Sequence, residues 1–221
     1  MQFIMISAGE VLLNHAPYLL DHFAVGVGAI SGVLAARGRN VDLFGVLVLA
    51  LVAALGGGTV RDLVTGELPV TWIRDPSFIG TAATAGVLTF FLVRITALPA
   101  NLLLIADAFA LALFTMSGAK RALSLDVAPP IAIVLIVMTG VAGGIARDVL
   151  IGEIPLVFRP QIYLYATAVM LGAIVSVVLS KILPNPEAGA LIGAAVTLFL
   201  RLAAIRWKIR LPVFRLKSEA E

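Results

Sequence analysis

Two short motifs place charged side chains inside strongly apolar stretches of the chain. Arg61-Asp62 follows the glycines 56–58, and Arg147-Asp148 follows the segment 142–144, which contains two more glycines. An unpaired arginine or aspartate in mid-membrane costs about 3 kcal/mol or more, so such residues need partners or water and are functional candidates by default. If lipid surrounds these segments, the pattern favours passage of an ion or small polar solute.

The two motifs belong to an internal repeat with one ungapped offset of 86 residues. The pattern R-D-x-x-x-G-E-x-P begins at Arg61 and again at Arg147. The same offset aligns Asp21 with Asp107, Phe23 with Phe109, Ser31-Gly32 with Ser117-Gly118, Gly57-Gly58 with Gly143-Gly144, and Gly86 with Gly172. Each copy holds three predicted membrane spans. Because three is odd, the second copy enters the membrane from the opposite face, as in inverted-repeat transporters.

The glycine runs have two interpretations. Glycine costs about 1 kcal/mol per residue in a helix interior relative to alanine, so the runs 56–58 and 142–144, with Gly140, predict two helices that break inside the membrane. Carbonyls freed by such breaks survive only in protein or beside water, where they replace part of an ion's hydration shell. The alternative is that these glycines only allow close packing of helices.

The arginine and aspartate of each motif receive separate roles. Neighbours in sequence do not face each other on a regular helix, so inverted symmetry predicts the cross-pairs Arg61 with Asp148 and Arg147 with Asp62. The aspartates would concentrate cations, and the arginines would serve as gate or bracing elements. The alternative is that both pairs lie at the membrane interface and hold loop ends.

The candidate pathway residues are Gly56, Gly57, Gly58, Arg61, Asp62, Gly143, Gly144, Arg147 and Asp148. Secondary candidates, related carboxylates and hydroxyls, are Asp21, Asp107, Ser31, Ser117 and Thr59. The chain has no cysteine and only two histidines, so no disulfide or metal centre is expected. No G-x-S-x-G, H-E-x-x-H or Walker-type sequence occurs, and an enzyme is therefore unsupported.

The composition indicates that membrane-spanning helices position these residues. Of 221 residues, 61% are hydrophobic and 13% charged, with a mean hydropathy of +1.07. Soluble domains carry about 25% charged residues, so lipid is the main solvent, and spans of about 20 apolar residues should be helices. The predicted spans are 18–36, 42–65, 77–95, 100–121, 129–151, 161–183 and 187–206.

The predicted fold is therefore an all-α membrane protein with seven transmembrane helices, forming a single domain over residues 1–221. Repeat one covers about 14–95 and repeat two about 100–181. The seventh helix, about 187–206, lies outside the repeat and precedes a basic tail, 207–221. On these spans, 11 Lys and Arg residues fall on one face and 5 on the other. The positive-inside rule then predicts an external N-terminus and a cytoplasmic C-terminus.

Six basic residues after Leu200 carry much of that bias: Arg201, Arg206, Lys208, Arg210, Arg215 and Lys217. A basic run can bind nucleic acid. In a membrane protein, however, it is typical of an anchor at the lipid headgroups, and no nucleic-acid partner is expected.

The paired G-G-G-x-x-R-D and G-G-x-x-R-D segments, each followed by G-E-x-P, resemble the prokaryotic branch of the trimeric intracellular cation (TRIC) channels over nearly the whole chain. The resemblance implies a homotrimer in the prokaryotic inner membrane, with one pore per protomer between the glycine-broken second and fifth spans. It implies conduction of monovalent cations, chiefly potassium and also sodium. No cofactor is implied beyond the permeant ion and lipid bound between subunits.

Two departures limit what the resemblance implies. Animal members of the family carry a Lys-Glu-Val motif and bind a phosphoinositide, whereas this chain has Arg-Asp at the matching sites. No segment resembles the TVGYG filter, so sharp discrimination of potassium from sodium is not expected.

Two other functions remain open at this point. Related bacterial sequences are labelled glycine transporters, and inverted repeats also suit a carrier for a small zwitterion such as glycine. A scaffold without transport would explain the apolar spans, but it leaves the duplicated charges without a purpose.

Overall fold

A computed structural model describes residues 8–159 and 164–209, which form eight α-helices and one 3₁₀ turn within those ranges. In chain order they are α1 Ala8–Ala35, α2 Leu43–Val64, α3 Thr71–Arg74, α4 Ser77–Ile95, α5 Leu102–Ser124, α6 Pro129–Leu150, the turn Leu156–Phe158, α7 Ala166–Ile182 and α8 Pro186–Trp207. Proline begins α6 and α8, where its missing N–H leaves no intrahelical bond unmade.

The predicted all-α fold with seven membrane helices is confirmed. Six of the described helices are long and apolar enough to cross a membrane, and α7 is a seventh, shorter apolar helix of 17 residues. The sixth predicted span began at 161, but residues 160–163 lie outside the described part of the chain and α7 itself begins at Ala166. The short α3 was not predicted.

Helix packing brings α2 and α6 together at the centre of the molecule. The helix α2 contacts α1, α4 and α6, and α6 contacts α5 and α7, while α8 packs along α7 and α5. Ala53 lies against Gly143, whereas the later residue Gly57 lies against the earlier Thr139. The two helices are therefore antiparallel, and Asp62 and Asp148 lie at opposite ends of the pair.

Small residues let the helices approach this closely. A Cβ added to Gly32 would lie 2.5 Å from the Leu49 carbonyl oxygen, and one added to Gly28 would lie 3.0 Å from Ala54 Cα. The G-x-x-x-G of α1 therefore serves packing against α2 within one protomer, as small residues do between membrane helices. Large apolar side chains such as Leu88 and Ile95 on α4 are exposed, as expected for a surface in contact with lipid.

Candidate functional site

The glycine runs do not break their helices. Backbone helix continues without interruption through residues 56–58 in α2 and 140–144 in α6. The prediction of two broken helices, and of freed carbonyls as ion ligands, is wrong. The carbonyls stay within the helical ladder because the cost of glycine in a helix is offset by the close approach that a missing side chain allows.

That approach occurs where α2 and α6 cross. A Cβ added to Gly57 would collide with the Thr139 carbonyl oxygen, and one added to Gly143 would lie 2.6 Å from that of Ala53. A Cβ on Gly56 would lie 3.2 Å from Gly143 Cα. The close-packing interpretation therefore describes these glycines, and the crossing leaves no room for an ion between the two backbones.

The first Arg-Asp motif forms a pair within itself. Arg61 Nε and Nη2 donate to Asp62 Oδ1 at 2.9 and 2.7 Å, and Arg61 Nη1 donates to Ser117 Oγ at 2.5 Å. The other oxygen of Asp62 accepts from the backbone N–H and the hydroxyl of Thr71 at 2.8 and 2.7 Å. The Asp62 side chain is thus held at the end of α2 by the segment that follows.

The second motif repeats this arrangement in a closed environment. Arg147 Nε donates to Asp148 Oδ1 at 2.8 Å, and Asp148 Oδ2 accepts from the Leu156 N–H at 2.8 Å. Arg147 Nη1 donates to Ser31 Oγ at 3.1 Å and to Asp107 Oδ1 at 3.0 Å. The Arg147 side chain is completely buried, whereas that of Arg61 is 13% exposed.

The predicted cross-pairs Arg61–Asp148 and Arg147–Asp62 are wrong. The rule that adjacent residues do not face each other fails here because each aspartate is fixed from outside the helix by a later backbone N–H, and the long arginine side chain folds back to it. The carboxylates also lie at opposite ends of the antiparallel α2–α6 pair.

Other side chains do connect the two repeats. Each motif arginine donates to the serine of the opposite repeat, Arg61 to Ser117 and Arg147 to Ser31. Each motif glutamate also forms an ion pair across the repeats, Glu67 with Arg121 and Glu153 with Arg39. These contacts between the repeats were not predicted, because the predicted partners were the aspartates of the opposite motif.

The rest of the motif shapes the turn after each helix. Gly66 and Gly152 have positive φ values of 70° and 71°, which glycine adopts without a Cβ clash. The next N–H groups, of Glu67 and Glu153, donate to the Asp62 and Asp148 carbonyls at 2.8 and 2.9 Å. The interpretation that R-D-x-x-x-G-E-x-P holds a loop end thus describes one part of its structural role.

Arg201 is a site residue that the sequence prediction placed elsewhere. It was expected at the headgroups, but its side chain is completely buried on α8. Its Nη2 lies 3.7 Å from Asp107 Oδ2, and its guanidinium carbon lies 4.7 Å from the centre of the Tyr165 ring. The signal was present, since Arg201 is an ionisable residue within a predicted span. Arg210, Arg215 and Lys217 lie outside the described residues.

Because Arg147 and Arg201 are both buried, two of the 11 basic residues counted for orientation do not reach a membrane surface. The excess of Lys and Arg residues on the predicted cytoplasmic face is therefore smaller than the sequence count suggested. The external N-terminus and cytoplasmic C-terminus stay predictions.

Cavities that are lined in part by charged side chains open at the two ends of the α2–α6 pair. At the Asp62 end, an inner chamber of about 140 Å³, here called the Asp21 cavity, is lined by Asp21, Gly58, Arg61, Trp72, Phe78 and Phe114, among others. It shares Asp21, Arg61, Asp62, Thr71 and Ser117 with a wider space of about 290 Å³, the Lys120 vestibule, which adds Glu67, Lys120 and Arg121.

At the opposite end lies a third space of about 250 Å³, the Arg39 cavity. Its polar lining comprises Arg37, Arg39, Asp148, Glu153 and Arg159. Between this cavity and the Asp21 cavity lie the crossing at Gly57 and Gly143 and the buried Arg147 side chain. The close contact of the two helix backbones therefore separates the two cavities.

The secondary candidate Thr59 positions an aromatic wall. Its Oγ1 donates to the Leu55 carbonyl at 2.8 Å and accepts from Trp72 Nε1 at 2.9 Å. This bond holds the Trp72 indole at the Asp21 cavity.

A hydrogen-bonded cluster holds α1 to the start of α4 near the same cavity. His22 Nδ1 lies 2.8 Å from Thr81 Oγ1, and Tyr18 OH donates to Asp75 Oδ2 at 2.9 Å. Hydrogen bonds from the side chain and backbone N–H of Ser77, with that from Tyr18, lower the pKa of the exposed Asp75 carboxyl.

The family described as "Glycine transporter" matches residues 18–94 and 104–181 of this chain. The inner membrane protein YadS of Escherichia coli K12 is 45% identical over 201 residues, which cover 90% of this chain and 96% of YadS. A membrane protein of Vibrio cholerae is 42% identical over 200 residues, which cover 90% of this chain and 83% of the relative. Both carry the same family label, UPF0126.

Solved structures show the same fold. The trimeric intracellular cation channel orthologue from Rhodobacter sphaeroides superposes with a TM-score of 0.81 at 36% identity, over 88% of this chain and all of that one. A second TRIC cation channel, solved to explain conductance, gives a TM-score of 0.81 at 32% identity, over 90% of this chain and 98% of that one.

Proposed function

The chain belongs to the prokaryotic branch of the trimeric intracellular cation channel family, and from that membership we propose that it conducts monovalent cations, potassium and sodium, through a pathway within each protomer. The solved relatives are named cation channels, and the relative in Escherichia coli is named an inner membrane protein. The chain is accordingly a multi-pass membrane protein of a bacterial inner-membrane family.

The observation that supports a pathway along α2 and α6 is the placement of the polar cavities. The Asp21 cavity with the Lys120 vestibule lies at one end of this pair, and the Arg39 cavity lies at the other. A membrane protein hides polar groups from lipid unless they line water or a partner. The two cavities, one lined by Asp62 and the other by Asp148, suit the two mouths of a pore in its closed state.

The closed segment suggests how conduction starts. The glycine crossing of α2 and α6 must separate, and Arg147 must leave its position between Ser31 and Asp107. In this proposal Arg147 acts as a brace that keeps the path shut, while Asp62 and Asp148 attract cations to the mouths. Selectivity for cations comes from these carboxylates and not from a carbonyl filter.

We also propose that the protein assembles as a homotrimer with lipid between the copies. A solved relative is named trimeric, which supports self-association. The N-terminus is expected outside and the C-terminus in the cytoplasm, which a cysteine introduced at either end and labelled from one side would test.

Recording from purified protein in planar bilayers tests the function. In asymmetric KCl we expect unitary current steps whose reversal potential approaches that of potassium, and similar currents in NaCl. Asp148→Asn should lower conductance or cation selectivity, whereas Asp126→Asn, at an exposed carboxylate outside the three cavities described above, should change neither. Reversal at the chloride potential, or the absence of steps from protein that elutes as a folded oligomer, would contradict the proposal.

The second candidate is a carrier for a small zwitterion such as glycine. Two observations favour it: the family is described as a glycine transporter, and the closed structure has a cavity at each end, as alternating access requires. Saturable uptake of labelled glycine into proteoliposomes, without unitary current steps, would establish the carrier in place of the channel.

A further inference from the structure

The carboxylate of Asp21 differs from the other intramembrane carboxylates in its contacts. Among the residues whose side chains the structure describes, no hydrogen bond or ion pair reaches it. It is partly buried, on α1, and it lines both the Asp21 cavity and the Lys120 vestibule. A charged carboxylate in an apolar setting requires a compensating positive charge or water.

The repeat-two counterpart shows what such compensation looks like. Asp107 accepts from Arg147 Nη1 at 3.0 Å and lies 3.7 Å from Arg201 Nη2, and Tyr165 OH lies 3.5 Å from its Oδ1. The second arginine of that cluster, Arg201, comes from α8, and no equivalent helix packs against repeat one. Its own Arg61 already donates through two nitrogens to Asp62 and through the third to Ser117.

The walls of the cavity favour a cation as the missing partner. Trp72, Phe78 and Phe114 line it together with Asp21, and aromatic rings attract cations through their negative faces. The hydroxyl of Ser117, which accepts from Arg61 Nη1, also lines the cavity. A single carboxylate without a direct partner suits a monovalent ion, because divalent ions in proteins gather several oxygen ligands, with carboxylates prominent among them.

We propose that the Asp21 cavity binds one inorganic monovalent cation, potassium or sodium, in the closed protein, with Asp21 as its anionic ligand. The site rests on the proposed channel function and adds a resting station inside one mouth of the path. Lys120 belongs to the same vestibule, and its charge, like that of Arg61, acts on Asp21 from beyond the 4 Å of an ion pair. In this proposal the Lys120 ammonium group competes with the bound ion for the Asp21 carboxylate.

Fluorescence of Trp72 reports on the site directly. Trp72 and Trp207 are the two tryptophans of the chain, so Trp207→Phe leaves Trp72 as the single emitter. Thallium(I) is a potassium-sized heavy-atom quencher. In detergent, with choline as the background cation, we expect saturable quenching by thallium nitrate that added potassium reverses.

Three variants in this background separate the site from general electrostatics. Asp21→Asn should weaken thallium binding at least tenfold, because it removes the negative charge that lines the cavity without a direct hydrogen bond or ion pair among the described residues. Lys120→Met should strengthen binding several-fold. Asp126→Asn removes an exposed carboxylate from the loop that follows the same helix, α5, and should leave the affinity unchanged.

Two results would overturn the proposal. Linear, unsaturable quenching that is equal in the parent and in Asp21→Asn means that the cavity holds no ion. Displacement of thallium by glycine as effectively as by potassium means that the site takes an ammonium group instead. Bilayer currents from the same preparations keep the questions apart: currents without saturable quenching reject only this site, and saturable quenching without currents rejects only the channel.

Discussion

The Arg61 and Arg147 regions share one motif, one helix position and one set of bonds within the motif, but their surroundings differ. Arg61 borders the Asp21 cavity, where its side chain is 13% exposed. Arg147 is fully enclosed by Asp107, Asp148 and Ser31, with Tyr165 and Arg201 close by.

The difference follows from the element that lies outside the repeat. The helix α8 packs on α5 and α7 of repeat two and brings Arg201 to Asp107. Repeat one has no equivalent helix, so Asp21 is left beside a cavity. An internal duplication can therefore give one copy a buried charge cluster and the other a cavity, because a single unduplicated helix changes the burial of one copy.

Removal of the two arginines should give the largest difference between the regions. Arg147→Met leaves the buried carboxylates Asp107 and Asp148 without their main cation, which costs about 3–5 kcal/mol for a broken buried pair. Arg61→Met should cost less, about 2 kcal/mol, because the buried Asp62 carboxylate keeps its two hydrogen bonds from Thr71. Equilibrium unfolding of both variants in mixed micelles measures this. Equal losses would contradict the asymmetry.

Substitution of the crossing glycines should give the next largest loss of stability, and the loss should be similar whether the glycine lies on α2 or on α6. Gly57→Ala and Gly143→Ala each force a methyl group into the backbone of the partner helix, and overpacking costs about 1–3 kcal/mol. The matched control is Gly58→Ala, whose nearest neighbour would be Arg61 Nη2 at 3.9 Å. Helix propensity predicts that this control stabilises by up to about 1 kcal/mol. A destabilised Gly58→Ala would mean that the crossing extends further than described.

Replacement of the two serines that connect the repeats, Ser31 and Ser117, should give smaller losses of stability, which differ between the two sites. Ser31 is 2% exposed and accepts from buried Arg147, so Ser31→Ala should cost about 1.5 kcal/mol, as for a hydrogen bond to a charged group. Ser117 borders the Asp21 cavity, and Ser117→Ala should cost about 0.5 kcal/mol because water replaces the hydroxyl. Unfolding of each variant measures the difference, and a reversed order would place the solvated region at Arg147.

The smallest effect is expected in the short loop between α3 and α4, which lies near the Asp21 cavity. Ser77→Ala should raise the pKa of Asp75 toward its ordinary value, because the side-chain hydrogen bond that lowers it is lost. A lowered pKa in the folded state means stability that is present at neutral pH and lost as pH falls through that pKa. The variant should therefore lose less stability on acidification. Carbon-13 NMR titration of labelled aspartate measures the pKa, and an unchanged value would contradict the role of Ser77.

Sequence patterns predicted some site features correctly and others wrongly for identifiable reasons. The offset of 86 residues correctly matched Arg61 with Arg147 and Ser31 with Ser117, because duplicated segments fold alike. The cross-pairs failed because the partner of an aspartate depends on the loop that follows the helix. The prediction of two broken helices was wrong because a run of glycines can either bend a helix or allow a neighbouring helix to pack closely. The sequence of the run does not distinguish these two outcomes.

The sequence by itself determined that this protein has seven apolar helices in a duplicated arrangement, because span length, breakers and the repeat offset are local properties of the chain. Only the tertiary structure decided that Arg201 is buried beside Asp107, that Asp21 faces a cavity, and that α2 and α6 cross as unbroken helices. Burial of a charge depends on every helix packed around it, and residues far apart in sequence supply those helices.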